Sequence, residues 1–389
     1  MENFQYCIGT NILFGKDQIS NLPDIVKAEG NKVLLAYGGG SIKRIGLYDK
    51  IKELLSDCEI YELSGIEPNP KLESVEAGAE LCKRHGIEVI LAVGGGSVID
   101  CSKAIAAAAL YDGEPWKLIT GEAAIGQALP LIAIPTMAAT GSEMDAGGVI
   151  SNPATHEKRG FFSLHVLPKA SILDPTYSFT VPAYHTAAGS ADILSHLLEQ
   201  YFVSKSTFMN DLLVESVMKT VIKYAPVAIA EPDNYEARAQ LLWASNIADN
   251  ATLCNGNRLC VFGVHAIEHE LSAYYDIAHG AGLAILTPRW MRYVLEKHPE
   301  TVDPRFAHYA RSVWGMNDGD DLALAAKAIE ATEKFLHSLP IPRSLEETGI
   351  GTEHFEDMAE HCAATEGVEY AWVPLAKKDI IEILTLSLK

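Results

Sequence analysis

Hydrophobic and polar positions follow different periods in the two halves of the chain, and the change comes near residue 180. In the first half, short continuous apolar runs alternate with longer segments of helical spacing. The apolar runs, typical of strands buried on both faces of a sheet, are residues 32–37, 59–63, 88–93, 129–134 and 170–173. The segments of helical spacing between them are residues 41–55, 69–86 and 97–110. This alternation predicts an α/β domain with a parallel sheet over residues 1–180.

After Pro182 nearly every long segment has helical spacing. The predicted helices include residues 185–202, 208–225, 235–253, 321–339 and 377–388. The second half therefore predicts an all-α domain over residues 181–389, packed on the first domain with a cleft between them. At the start of the chain, residues 4–15 predict two short strands.

Composition narrows the class of protein. The chain has 389 residues, of which 48% are hydrophobic and 21% charged, as in folded globular proteins. A formal charge of −20 with no Lys/Arg run longer than two argues against nucleic acid or an anionic membrane as a partner. We find no secretory signal and no apolar run of about 18 residues, so we expect a cytoplasmic protein. The seven cysteines include no CxxC pair, which indicates buried thiols rather than a disulfide framework.

Two similar segments place three glycines and a serine between a predicted strand and a predicted helix. They are Gly38, Gly39, Gly40 and Ser41, and Gly94, Gly95, Gly96 and Ser97. Glycine is needed where the turn requires positive φ and where a phosphate approaches backbone amides at a helix N-terminus. Neither segment fits GxGxxG or the P-loop pattern, because Lys43 and Ile99 stand at the third Rossmann glycine. A dinucleotide is the natural ligand, and a tight connection with no ligand is the alternative.

A third stretch, residues 134–151, follows the fourth predicted strand and is rich in small hydroxylated residues. Thr136, Thr140 and Ser142 could donate hydrogen bonds to a pyrophosphate or a ribose. Taken alone, the stretch fits a Ser/Thr-rich turn equally well.

The histidine pattern predicts a metal site. Asp192 and His196 stand four apart on a predicted helix, which places their side chains on one face. His265 and His269 are also four apart, and His279 follows. A carboxylate and two or three imidazoles converging from two helices suit Fe²⁺ or Zn²⁺. The alternative is that each histidine is an ordinary core or surface residue.

A competing motif lies within this cluster. Residues 265–269 read HxxEH, the pattern of one class of zinc peptidases, with Glu268 as the general base. A peptidase of that class needs no parallel α/β domain with three small-residue loops. It would also leave Asp192, His196 and His279 unexplained.

Several motifs together resemble the iron-containing (group III) alcohol dehydrogenases, most closely their butanol dehydrogenase and NADPH-dependent aldehyde reductase branch. The motifs are GGGSVID (94–100), PTMAATGSE (135–143), LDP (173–175), GSADILSHLLEQ (189–200) and the pair His265 and His279. They span essentially the whole chain. The resemblance implies a dinucleotide-binding N-terminal domain, a helical metal-binding C-terminal domain and a homodimer to which an N-terminal strand contributes.

Carried over residue by residue, the resemblance implies four metal ligands: Asp192, His196, His265 and His279. It places His269 beside the nicotinamide, where we expect a catalytic role in relaying a proton to solvent. It implies further cofactor contacts from Asn69, Gly94, Gly95, Gly96, Ser97, Asp100, Thr136, Thr140 and Lys158. Asp145 departs from the pattern, because relatives commonly carry Asn or Thr there, and no cofactor contact is carried over to it.

The choice between NADP and NAD can be argued from charge. NAD-specific dehydrogenases place a carboxylate after an early strand to bind the ribose hydroxyls, and that carboxylate repels a 2′-phosphate. The matching position here is Gly39, with Ser41, Lys43 and Arg44 close by. We therefore predict NADP, with NAD as the second choice. The metal is expected to be Fe²⁺, or alternatively Zn²⁺, and the substrate a primary alcohol or aldehyde.

Two other functions stay open at this point. A metal- and NAD-dependent lyase of the dehydroquinate-synthase type has a related fold. It would need several Lys or Arg residues for a phosphorylated, carboxylated substrate, whereas the segments around the candidate ligands are largely apolar. A sensor that binds NADPH without turnover would not need the Asp and His set.

Overall fold

A computed structural model describes residues 1–6, 8–258 and 260–389, which fall into two compact units. The first contains residues Tyr6–Val181 and Glu231–Asn250, and the second contains Met1–Gln5, Pro182–Ala230 and Ala251–Lys389. The six cysteines within the described ranges are free thiols, and Cys7 lies outside those ranges. In the part of the chain that the structure describes, no helix combines the length and apolarity needed to cross a bilayer.

The first unit is built on a six-stranded parallel sheet. The strands of the chain are β1 (Asn11–Phe14), β2 (Lys32–Tyr37), β3 (Glu59–Leu63), β4 (Val89–Gly94), β5 (Leu131–Pro135), β6 (Gly147–Asn152), β7 (Glu157–Phe162) and β8 (Ala170–Leu173). The sheet order is β1-β8-β5-β4-β2-β3, with Val33 opposite Val89 and Ile90 opposite Leu131. Strands β6 and β7 form a separate antiparallel hairpin. The prediction of a parallel α/β domain is confirmed.

Helices cover both faces of this sheet, which explains the continuous apolar strands. They are α1 (Leu22–Glu29), α2 (Ser41–Arg44), α3 (Leu47–Leu54), α4 (Leu72–His85), α5 (Gly96–Ala108) and α6 (Pro115–Ile119). Alternate residues of β2 enter different cores: Leu34 packs with Ile105 of α5, and Leu35 packs with Ile51 of α3. All four side chains are completely buried.

Three local predictions for the first unit differ from the structure. The helix predicted over residues 41–55 is two helices, because Gly46 adopts a left-handed conformation with φ +74° between α2 and α3. The stretch 134–151, expected to be a loop, ends in strand β6, whose pairing with β7 no local period reveals. Of the two strands predicted over residues 4–15, the described residues form only β1, and Cys7 lies outside the description.

The remaining helices begin at residue 183, and most of them build the second unit. They are α7 (Ala183–Tyr201), α8 (Phe208–Ala230), α9 (Tyr235–Ala248), α10 (Gly263–Tyr275), α11 (His279–Lys297), α12 (Pro299–Ser312), α13 (Asp321–His337), α14 (Phe355–Thr365) and α15 (Lys377–Leu386). The exception is α9, which belongs to the first unit. Helix α7 is buried continuously from Thr186 to Tyr201, so it is a central helix of the second unit.

Helices α7 and α11 approach each other very closely. A Cβ atom built on Gly280 would lie 1.9 Å from the backbone oxygen of Ala188. No side chain fits at that distance, so the contact requires glycine. Asp192 lies one turn after Ala188, and His279 directly precedes Gly280, so this contact brings two of the predicted ligands together.

Candidate metal centre and cofactor-binding loops

The four predicted metal ligands come from three helices. Asp192 and His196 lie on α7, His265 lies on α10, and His279 is the first residue of α11. The spacing predicts two helices; the difference arises at Asp276, whose left-handed conformation with φ +52° ends α10 before α11 begins. The break lets His265 and His279 approach the same point from different directions.

Three of these side chains converge. One ligand atom from each of Asp192, His265 and His279 lies within 4.8 Å of the others. Oδ1 of Asp192 is 3.8 Å from Nε2 of His265 and 3.7 Å from Nε2 of His279. These separations exceed hydrogen-bond length, but ligand atoms about 2.1 Å from a shared ion lie about 3–4 Å apart. The arrangement therefore fits a single divalent cation.

His196 lies beside this group of three. Its Nδ1 is 3.8 Å from Oδ1 of Asp192, and its ring stacks on the ring of His265 with centroids 4.6 Å apart. The compact set of three does not include it. His196 as a fourth ligand stays a prediction.

The chemistry of the centre also fits a cation. Oδ1 of Asp192 and Nε2 of His265 are buried and have no hydrogen-bond partner among the described residues. Burial by itself would raise the pKa of Asp192, but His196, followed by His265 and His279, lowers it well below its usual range. For His265, burial would lower the pKa, yet Glu199 and Asp192 raise it to about 10. A buried carboxylate surrounded by imidazoles is satisfied by a divalent metal.

Two glutamates contact the histidines through the ring nitrogens that do not face Asp192. Glu199 contacts Nδ1 of His265 and accepts a hydrogen bond from the backbone N–H of Val264 at 2.7 Å. Glu268, which is completely buried, contacts Nδ1 of His279 and accepts a hydrogen bond from the Ser272 hydroxyl at 2.6 Å. A carboxylate on Nδ1 fixes the imidazole tautomer, so that Nε2 points to the metal with its lone pair.

The sequence pattern of the metal ligands does not include these two glutamates, although it carries a signal for Glu199. Asp192, His196 and Glu199 recur at spacings of four and three on one helix, which places all three on one face. The HxxEH motif suggests Glu268 only as the base of a peptidase. Its burial and its contact with His279 place it behind the metal centre, where it cannot activate a water on a substrate.

Replacing Glu268 with Gln should lower the affinity of the chain for its metal by about 10- to 100-fold, because the amide no longer stabilises the Nδ1–H of His279 by charge. The measurement is competition between the protein and a chelator of known affinity. Glu270→Gln is a matched control, since Glu270 is a buried glutamate of the same helix and its histidine partner, His361 at 2.7 Å, lies outside the candidate ligand set. Equal affinity losses in both variants would contradict the assigned role of Glu268.

His269, predicted to be catalytic, lies on α10 one turn after His265. Its Nδ1 is 3.6 Å from a carboxylate oxygen of Glu366, and its ring centroid is 5.8 Å from that of His279. The set of three convergent ligands does not include His269. His269 therefore lies next to the candidate metal centre but is not one of the side chains that would hold the ion.

The first glycine loop connects β2 to α2. Gly40 has φ +91°, a conformation that disfavours any side chain, and Ser41 opens the helix. At Gly39 a Cβ atom would meet nothing within 4 Å. The space beside Gly39 is therefore open, and its use by a cofactor stays a prediction.

The second glycine loop connects β4 to α5 and lies against the third stretch. A Cβ atom on Gly96 would come within 2.4 Å of the Thr140 hydroxyl oxygen, and one on Gly94 within 2.6 Å of Val98. Two of the predicted cofactor segments are thus in contact at the N-terminus of α5. Backbone amides at a helix N-terminus can bind a pyrophosphate, and for this helix that role stays a prediction.

Asp100 and Ser142, both predicted to contact the cofactor, hold each other. The Ser142 hydroxyl donates to Asp100 at 2.5 Å, and Asp100 also accepts the Val149 N–H at 3.0 Å. Burial raises the pKa of Asp100 to about 6. Both side chains are thus used to tie the third stretch to α5.

The other predicted contacts lie in this unit. Asn69 precedes α4 with φ +48° and is buried, as are Thr136 after β5 and Lys158 on β7, whereas Ser97 is half-buried.

Asp145, the departure from the family pattern, also has a partner within the protein. Its Oδ1 accepts from the ammonium of Lys103 at 2.7 Å and from the Gly147 N–H at 2.6 Å. Lys103 is completely buried and donates as well to the Gly147 carbonyl at 2.6 Å. The signal in the sequence is the one basic residue of helix α5, which is mostly apolar, since a buried ammonium requires a counter-ion.

Two family models together match nearly the whole chain. Residues 9–175 match the model of the iron-containing alcohol dehydrogenases, and residues 186–388 match the C-terminal model of the Fe-containing alcohol dehydrogenase family. The chain is 45% identical to NADH-dependent butanol dehydrogenase A of Clostridium acetobutylicum, with complete coverage of both chains. It is 36% identical to the NADPH-dependent aldehyde reductase YqhD of Escherichia coli, over 90% of each.

A solved structure agrees with these relatives. The NADH-dependent butanol dehydrogenase A of Thermotoga maritima superimposes with a TM-score of 0.95 at 40% identity, covering 100% of this chain and 99% of the other. Both halves of the sequence and the whole fold therefore lead to one family. The chain belongs to the iron-containing alcohol dehydrogenases, and it is an oxidoreductase of alcohols and aldehydes.

Proposed function

We propose that this protein interconverts primary alcohols and aldehydes with NADP(H) and one divalent metal ion, Fe²⁺ by preference and Zn²⁺ as the alternative. The observation that carries the proposal is the convergence of Asp192, His265 and His279, in which Oδ1 of Asp192 and Nε2 of His265 are buried and lack hydrogen-bond partners among the described residues. We include His196 as the fourth ligand. An Asp and three His side chains suit either ion.

The chain's own residues prepare the metal centre. Bound there, the cation would supply Lewis acidity toward a substrate oxygen, while the nicotinamide would give or accept a hydride. Asp192, His196, His265 and His279 hold the ion. Glu199 and Glu268 fix the tautomers of two of these histidines, so the ligand set is formed before substrate arrives.

We assign His269 to moving the alcohol proton to solvent, with orientation of the nicotinamide as the competing role. His269→Ala should slow alcohol oxidation by about 100-fold. Added imidazole should restore part of the loss, because a free base can replace a missing proton carrier. A slow variant that imidazole does not rescue would favour the orienting role.

The cofactor set that we propose lies on the α/β unit. It comprises Gly38, Gly39, Gly40, Ser41, Asn69, Gly94, Gly95, Gly96, Ser97, Asp100, Thr136, Thr140, Ser142 and Lys158, with Asp100 and Ser142 acting through the fold of the third stretch. Residues 1–180 would form the cofactor domain and residues 181–389 the metal domain.

Cofactor preference rests on the open space at Gly39. The names of the relatives include NADH-dependent and NADPH-dependent enzymes, so local chemistry has to decide. A carboxylate at position 39 would bind the ribose hydroxyls of NAD, and its absence leaves room for a 2′-phosphate near Ser41 and Lys43.

Replacing Gly39 with Asp should therefore shift the ratio of kcat/KM for NADPH over NADH toward NADH by about 100-fold, since it adds repulsion and a ribose contact together. Steady-state kinetics with both cofactors measures the ratio. Gly39→Ala is the control for bulk without charge. An unchanged ratio in the Asp variant would remove Gly39 from the basis of the preference.

The first test of the proposed function measures metal content and turnover on the same sample. We expect about one Fe or Zn per chain and oxidation of NADPH by butanal. A chain with a full metal site and no turnover on any aldehyde would revive the lyase or the nucleotide sensor. Relatives that are dehydrogenases and reductases disfavour the lyase.

We also propose a cytoplasmic homodimer. Strand β1 lies at the edge of the six-stranded sheet and is largely exposed, and edge strands are places where a second chain can pair. Light scattering that gives the mass of one chain would contradict the dimer.

A further inference from the structure

A lysine beside the first glycine loop is held in an unusual way. Lys43 lies in α2, directly after the Gly38–Gly40 turn, and its backbone N–H bonds to the Gly40 carbonyl at 3.1 Å. Its ammonium lies 4.7 Å from the ring centroid of Tyr48 and 5.1 Å from that of Tyr37. Among the described residues, no carboxylate approaches this ammonium within 4.0 Å. A hydrogen bond with Tyr37, together with the nearby charges of Glu62 and Asp49, raises the pKa of Lys43, so the ammonium is held against the two rings in its charged form and is exposed to an external anion.

The two rings are themselves fixed. Their centroids are 5.9 Å apart in an edge-on arrangement. The Tyr37 hydroxyl donates to one carboxylate oxygen of Glu62 at 2.9 Å, and the Tyr48 hydroxyl donates to the other at 2.8 Å. The hydrogen bond to Glu62 raises the pKa of Tyr48 to about 12, so its hydroxyl stays a donor. Glu62 lies on β3, next to β2 in the sheet, which anchors the arrangement to the core.

A second lysine lies in the cluster that Lys43, Tyr37, Tyr48 and Glu62 form. It differs from Lys43 in how its charge is paired. The ammonium of Lys52 lies 3.3 Å from Glu62, so its charge is already paired within the protein. Lys43 and Lys52 carry the same charge near the same carboxylate, but only Lys43 is left for an external anion next to the glycine turn.

We propose that Lys43 recognises the 2′-phosphate of NADP(H) and that Tyr37 and Tyr48, tied to Glu62, are the positioning residues that hold it there. The inference deepens the proposed function and rests on it. An ammonium that is positioned before the cofactor arrives loses little side-chain entropy on binding, so the contact favours the phosphorylated cofactor strongly. NADH, which has no 2′-phosphate, gains nothing from it.

The test is the dissociation constant of the full-length protein for NADPH and for NADH, measured by fluorescence titration without substrate. Lys43→Met should weaken NADPH binding by about tenfold or more and leave NADH binding unchanged. Lys52→Met removes the same charge from the same cluster and is the matched control. We expect it to leave the NADPH to NADH ratio within about twofold.

Variants of Tyr48 distinguish a positioning role from general packing. It is half-buried, so variants should fold, whereas Tyr37 is nearly completely buried. Tyr48→Leu removes the ring face and should weaken NADPH binding several-fold without affecting NADH. Tyr48→Phe keeps the ring and should restore most of the preference.

Three results would overturn the inference: equal weakening of both cofactors, failure of the Phe variant to rescue, or the same change from Lys52→Met. These outcomes are distinct from failure of the proposed function. A wild-type protein that binds NADH as tightly as NADPH, while Lys43→Met weakens NADPH alone, would contradict the NADP preference and support the Lys43 subsite. A selective wild-type protein with unaffected Lys43 variants would do the reverse.

Discussion

Replacing Asp192 with Asn should leave the purified protein with less than about a tenth of its metal and abolish aldehyde reduction. The asparagine side chain has nearly the same shape, so the substitution removes the charge and keeps the volume. In the native chain, Oδ1 of Asp192 lies 3.7–3.8 Å from an imidazole nitrogen of each of His196, His265 and His279. Without the carboxylate, the histidines no longer share a buried anion that helps to bind a divalent cation.

Elemental analysis after dialysis, together with NADPH oxidation by butanal, measures both effects. Ser195→Ala is the control, because Ser195 is buried on the same helix and its hydroxyl has no hydrogen-bond partner among the described residues. That variant should keep its metal and its activity. An Asp192→Asn protein that binds a full equivalent of metal would show that the metal lies elsewhere.

Replacing Gly280 with Ala should destabilise the helical unit by about 3 kcal/mol or more and lower its metal content. The added methyl group would lie 1.9 Å from the oxygen and 2.6 Å from the carbon of the Ala188 carbonyl. Both atoms belong to the backbone of a buried helix and cannot rotate away. Helices α7 and α11 must therefore separate, which moves Asp192 and His279 apart.

Chemical denaturation followed by circular dichroism measures the loss of stability, and elemental analysis measures the metal. Gly160→Ala is a suitable control, because a Cβ atom there would meet nothing within 4 Å and its φ lies outside the left-handed region. We expect no more than a small change in that variant. A Gly280→Ala protein of native stability and native metal content would mean that the two helices tolerate separation.

The sequence alone predicts a functional role for Asp192 but not a structural role for Gly280. Spacing and residue type are enough to single out Asp192, because a carboxylate four positions from a histidine on a helix is a local pattern. Gly280 has no such signal, because a glycine inside a helical segment has no periodicity of its own, and the backbone it touches is 92 positions away along the chain. Glu199 and Lys103 are intermediate cases. The sequence singles out each residue, but its role becomes clear only when the residue that it contacts is known.

The sequence by itself determined that strands and helices alternate around a parallel sheet in the first half and that the second half is helical, and it singled out the residues of the candidate metal centre. It could do so because burial on two faces, helical spacing and ligand chemistry each act over a few neighbouring residues. The β6–β7 hairpin and the placement of α9 in the first unit were decided by tertiary structure alone. So were the pairing of Asp145 with Lys103 and the cluster around Lys43. These features depend on contacts between residues far apart in the chain, and no local pattern of hydrophobicity or charge carries that information.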